Sequence, residues 1–135
     1  MSARYAYEYS VIRVVPRPER EEFVNAGAIL FCDARDFLHA KIDLDEGRLL
    51  ALCPEIDLDV VKGHLDGVCR ISTGGTAAGP IGLLSPRERF RWLVAPRSTV
   101  LQPSAPHAGL CEEPDAALER LLDQLVRTKR LGRLV

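Results

Sequence analysis

The densest chemistry in the chain is Arg87-Glu88-Arg89-Phe90-Arg91-Trp92, followed by Arg97-Ser98-Thr99. A guanidinium donates in a planar fork that matches phosphate and carboxylate oxygens. Trp92 and Phe90 could stack a base beside it, and Ser98 and Thr99 could add hydroxyl donors. The set Arg87, Arg89, Arg91, Arg97 and Ser98 therefore suits a phosphate-bearing ligand or a nucleic acid. The competing reading is a solvated helix face with Phe90 and Trp92 packed in the core, since charge runs are usually surface features.

His107 and Cys111 stand four apart. An imidazole beside a thiol could raise a thiolate for a small hydrolase or transferase, with Ser98 as another nucleophile. No Gly-x-Ser-x-Gly context supports a serine enzyme built from Ser98, Ser104 and His107. The competing reading of His107 is a structural histidine on a loop. Arg17, Glu19, Arg20, Glu21, Glu22 and Asn25 bring three carboxylates together, enough for a hard cation. They read more simply as a helical turn with an Arg17–Glu21 pair, leaving through Asn25-Ala26-Gly27. Gly74-Gly75-Thr76-Ala77-Ala78-Gly79 matches neither GxGxxG nor a P-loop. We therefore assign no catalytic residue, no metal site and no cofactor.

The composition limits the function classes. In 135 residues there are 18 basic side chains against 19 acidic ones, net charge −1, and 15 of the 18 are Arg. A general polyanion binder usually carries a basic excess. The neutral sum hides an acidic stretch, net −5 over residues 33–66, and a basic one, net +3 over residues 85–97. At 47% apolar residues the chain is ordinary globular material, long enough for one domain. The first 20 residues show no signal-peptide pattern, and no apolar run approaches the roughly 20 residues that cross a bilayer. Cys32, Cys53, Cys69 and Cys111 form no CxxC pair. We expect reduced, mostly buried thiols and a cytoplasmic protein.

The elements that must position these residues follow from periodicity. Tyr5, Tyr7, Tyr9 and Val11 alternate with polar residues, which predicts a strand over 5–15. Residues 26–32 are apolar on both faces, Ala28 and Leu30 opposite Ile29 and Phe31, as in a central strand. Residues 37–44 alternate again and complete a hairpin, and 98–102 is a fourth candidate strand. Helices are predicted over 45–53, over 58–70 behind an Asp57 cap, and over 114–130, where acids crowd the start and bases the end. Residues 86–94 alternate too, yet Ser85-Pro86-Arg87-Glu88 is a capping box with proline at the first helical position, which favours helix. Ser72 to Gly82 reads as a mobile glycine-rich loop. The sum is one α+β domain, a small antiparallel sheet of three to four strands with helices against it. The end, Leu131-Gly132-Arg133-Leu134-Val135, is apolar and basic and could dock on a partner or back on the domain.

Three stretches resemble a bacterial family catalogued as a domain of unknown function. They are Tyr7-Glu8-Tyr9-Ser10-Val11-Ile12-Arg13, then Arg20-Glu21-Glu22-Phe23-Val24-Asn25-Ala26-Gly27-Ala28-Ile29-Leu30-Phe31, then Arg89-Phe90-Arg91-Trp92-Leu93-Val94-Ala95-Pro96-Arg97-Ser98-Thr99-Val100-Leu101-Gln102 with Pro106-His107-Ala108-Gly109-Leu110. The resemblance carries no activity with it. It falls on Arg13, Asn25, Gly27, Arg89, Trp92, Arg97, Ser98 and His107, and it implies an occasional genetic neighbour, a HipA-like kinase-fold protein. The expectation is an accessory, partner-binding module without catalysis, acting through Arg13, Arg89, Trp92, Arg97, Ser98 and His107.

Overall fold

In a computed structural model, residues 3–97 and 99–128 are described. The long alternating segment becomes β1 (Tyr5–Val14), flanked by β2 (Val24–Cys32) and, beyond it, β3 (Phe37–Ile42), all antiparallel. The other side of β1 is shared. β4 (Leu101–Pro103) pairs with Ile12 to Val14, and β5 (His107–Cys111) pairs with Tyr5 to Tyr9. Two short strands thus lie end to end along one edge.

Their junction is held by serines. Ser10 is fully buried, and its Oγ donates to the Ser104 carbonyl at 2.7 Å. The Ser104 Oγ accepts from the Val11 N–H at 2.8 Å. These bonds replace the ladder that Ser104-Ala105-Pro106 interrupts, so buried polar groups stay paired. Two expectations are corrected here. The fourth strand starts at Leu101 rather than 98, and His107 lies on a strand, not a loop.

A bulge sets the faces of β2. Ile12 opposes Gly27 while Arg13 opposes Asn25, so Ala26 is the extra residue. A bulge shifts the alternation by one. Val24 and Ala26 therefore share a face with Ile29 and Phe31, while Ala28, Leu30 and Cys32 take the other. Asn25 and Gly27 lie in this strand and are not a helix exit. The left-handed residue of the preceding turn is Glu21, φ 57°, after a 3₁₀ turn at Pro18–Arg20. Arg17 reaches Glu55 instead of Glu21.

Helices cover both faces. On one, Leu49 of α1 (Glu46–Leu52), Val61 and Leu65 of α2 (Leu58–Thr73), and Phe90 and Leu93 of α3 (Pro86–Val94) pack on Ile29, Phe31 and Ala40. On the other, α4 (Pro114–Leu125) sets Ala117, Leu118, Leu121 and Leu122 against Ala28, Leu30 and Cys32. The architecture is the expected α+β one, with an antiparallel sheet between helices.

Caps explain the helix starts. Asp57 accepts from the N–H groups of Asp59 and Val60. Ser85 and Glu88 make both halves of the capping box, which settles residues 86–94 as helix; each such cap contributes about 1 kcal/mol. α4 ends at Leu125, earlier than 130, where Asn25 Nδ2 donates to the Leu125 carbonyl at 2.9 Å. Arg127 then reaches Asp43, Glu119 and Asp123, tying this end to the β3–α1 connection. The glycine-rich stretch is not a bare loop. It folds into 3₁₀ turns at Thr76–Ala78 and Pro80–Leu83, closed by a Gly75 N–H to Gly82 carbonyl bond. No described helix is long and apolar enough to cross a membrane. Lys129 to Val135, including the apolar-basic end, lie outside the described residues.

Candidate binding cleft

A helix turns about 100° per residue, so Arg87 and Arg91, four apart, fall on one face while Arg89 points to the opposite one. Arg87 pairs with Asp33 at 2.9 Å and lies over the Phe31 ring. Arg89 is only 9% exposed. It donates from Nε to the Leu84 carbonyl (3.1 Å) and from Nη1 to the carbonyls of Ile71 (2.8 Å) and Ser72 (2.7 Å). The last two sit in the final turn of α2, where carbonyls lack helical partners and favour a cation. Arg91 is exposed. The row of arginines is therefore divided into a surface ion pair, a buried clamp and a solvated side chain.

Trp92 and Arg97 do come together. The Arg97 guanidinium lies 4.4 Å from the Trp92 ring centroid and donates to the carbonyls of Trp92 and Ala95. Trp92 is 39% exposed, so the core reading holds for Phe90 and fails for Trp92. Ser98 is outside the described residues. Arg13 sits over the Phe23 ring, centroid distance 4.5 Å, and His107 packs against Tyr9, ring centroids 5.3 Å apart. Neither Arg13, Arg89 nor His107 lines the cavity that Trp92 and Arg97 border.

That cavity is a half-open cleft of about 440 Å³ between α2 and the chain following α3. Its floor is Ile12 and Ile29 from the sheet. One wall is Gly63, His64, Gly67, Val68, Arg70 and Ile71 of α2; the other is Thr99 to Pro103, and Trp92, Leu93 and Arg97 close an end. The lining is mostly apolar. Among the described residues its charged side chains are Arg70 and Arg97, with His64 the further titratable one, and no carboxylate lines it. The volume falls within the roughly 300–1,000 Å³ of small-ligand sites.

The sequence reading found Trp92 and Arg97 but missed the α2 wall. One signal was present. Gly63 and Gly67 interrupt a helix whose apolar stripe is otherwise regular, and each such glycine costs about 1 kcal/mol against alanine. A Cβ at Gly63 would meet nothing within 4 Å. Packing within the domain therefore does not require that glycine.

The His107–Cys111 pair is corrected by strand geometry. Four residues along β5 span about 13 Å, too far for an imidazole to take the thiol proton. Cys111 is buried at the end of the strand. Burial, and next the neighbouring Cys32, push its thiol up, away from the thiolate that reacts. Folded protein should therefore leave Cys111 unmodified by iodoacetamide at neutral pH while denatured protein is modified. Labelling of Cys111 at the rate of a free thiol, read by peptide mass mapping, would contradict this. All four cysteines are free, with Cys32, Cys53 and Cys111 buried and Cys69 half-buried. The Ser104 hydroxyl is occupied at the β4–β5 junction. Among the described residues, no three acidic, Cys or His side chains gather as metal ligands.

Fold and site together define a small α+β domain with a ligand-sized, cation-rimmed cleft between its sheet and one helix. The chain belongs to the family described as a protein of unknown function, DUF3037, whose model matches residues 9–126. The match runs from within β1 to just past α4 and takes in the whole cleft. No curated protein and no solved structure matches the chain.

Proposed function

We propose that the domain is an accessory binding module of the cytoplasm, without a catalytic step of its own, and that the Trp92–Arg97 cleft is its recognition surface. The observation that carries this reading is the half-exposed Trp92 with Arg97 stacked on it at the mouth of an apolar cleft. Tryptophan and arginine dominate binding energies where they border desolvated pockets. The five-residue phosphate or nucleic-acid site is less well supported, because Arg87 and Arg89 are engaged within the protein.

Wild-type and Arg97→Ala chains, purified in parallel under native conditions and then denatured, release whatever they carry to mass spectrometry. We expect a partner or ligand carried by the first and lost from the second. The kinase-fold protein is the first partner to co-express. Identical loads on the two chains would overturn the cleft as the recognition surface.

A further inference from the structure

Resting on that reading, we infer that the cleft takes an amphipathic anion: an unbranched apolar chain along α2 with a terminal carboxylate or phosphate held between Arg70 and Arg97. Three observations support this chemistry. First, the apolar side chains form a continuous trough, with Ile12 and Ile29 below and Val68, Ile71, Leu93 and Val100 at its sides. Burial of an alkyl body there gains about 0.8 kcal/mol per methylene at full burial. Second, charge complementarity selects an acid. Arg70 and Arg97 border the trough and, among the described residues, no carboxylate does; Arg97 meets only neutral carbonyls there, those of Trp92 and Ala95, so an acid supplies the counter-charge that a neutral apolar ligand lacks. Third, Gly63 and Gly67 lie one turn apart on the wall, and nothing stands within 4 Å of a Cβ at Gly63. An occupant can approach the helix backbone there.

From Gly63 to Ile71 the wall is about 12 Å long, which matches an alkyl chain of roughly ten carbons. Walls on both sides, α2 and Thr99 to Pro103, flank such a body along its length.

The test uses decanoate, decyl phosphate, decanol and inorganic phosphate, titrated against the intact chain by calorimetry and by fluorescence of Trp92, the single tryptophan. Decanoate or decyl phosphate should saturate one site, the tighter of the two identifying the acid group. Decanol should bind about ten-fold more weakly, and inorganic phosphate should give no saturation. Arg97→Ala should bring the acid down to the level of decanol. Gly63→Leu should abolish binding at an unchanged or raised melting temperature, since leucine is the better helix former and its Cβ meets nothing. Equal affinity for decanol and decanoate would overturn the inference, as would unchanged binding in Gly63→Leu. If both acids fail while the Arg97-dependent load persists, the ligand class falls and the recognition surface stands. If that load is absent too, both fall.

Discussion

Replacing Arg89 with alanine should cost about 3 kcal/mol of folding stability, the largest effect expected of any charged position here. The substitution strips the Ile71, Ser72 and Leu84 carbonyls of their donor in a nearly dry site. For a chain of this size the melting temperature should drop by about 10 °C. Arg89→Lys should recover little. An ammonium is a point donor without the planar fork that serves three carbonyls, and the guanidinium also lies flat against Gly74, 2.8 Å from where a Cβ would stand. Thermal unfolding followed by circular dichroism decides it. A loss under about 1 kcal/mol would mean that water replaces the guanidinium at those carbonyls. Because Ile71 lines the cleft, Arg89→Ala should also weaken ligand binding without touching the ligand. Arg89 positions the wall and is not part of the contact surface.

Gly27→Ala should cost about 2–3 kcal/mol for a different reason. The added methyl would stand 2.6 Å from both Ile42 Cδ1 and the Lys41 carbonyl. The isoleucine tip can rotate away. The carbonyl belongs to the β2–β3 pairing and can retreat only by opening it. Gly27 therefore answers a need for close backbone approach, not for left-handed φ. Urea denaturation should show a lower midpoint at an unchanged slope. An unshifted midpoint would show that the hairpin absorbs the methyl by sliding.

Much of this fold is legible in the sequence because its signals are local. Ser85 and Glu88 mark a helix start by a hydrogen-bond exchange within four residues, and Asp57 does so on its own. Ala28 and Leu30 opposite Ile29 and Phe31 mark a strand buried on both faces. What escaped depends on contacts distant along the chain. His107 to Cys111 contains a glycine and no β-branched residue, so nothing in its own composition favours a strand. It becomes one by pairing with β1, and Gly109 is then needed because the Tyr7 ring lies where its Cβ would be. Arg89 looked like part of a basic surface because charge is visible in a sequence and helical phase is easily ignored. The cleft was half legible: Trp92 and Arg97 are near in sequence, while the α2 wall arrives through packing.

The divided edge beside β1 bears on how the molecule behaves in a crowded solution. An exposed, unbroken strand edge is a template on which another chain can add itself. Here that edge consists of a three-residue and a five-residue piece. Pro103 and Pro106 remove two amide hydrogens from it, and the Ser10–Ser104 bonds hold the gap between the pieces closed. An incoming strand would lose its register after a few residues, so the same serines that complete the sheet also keep it from growing on this side.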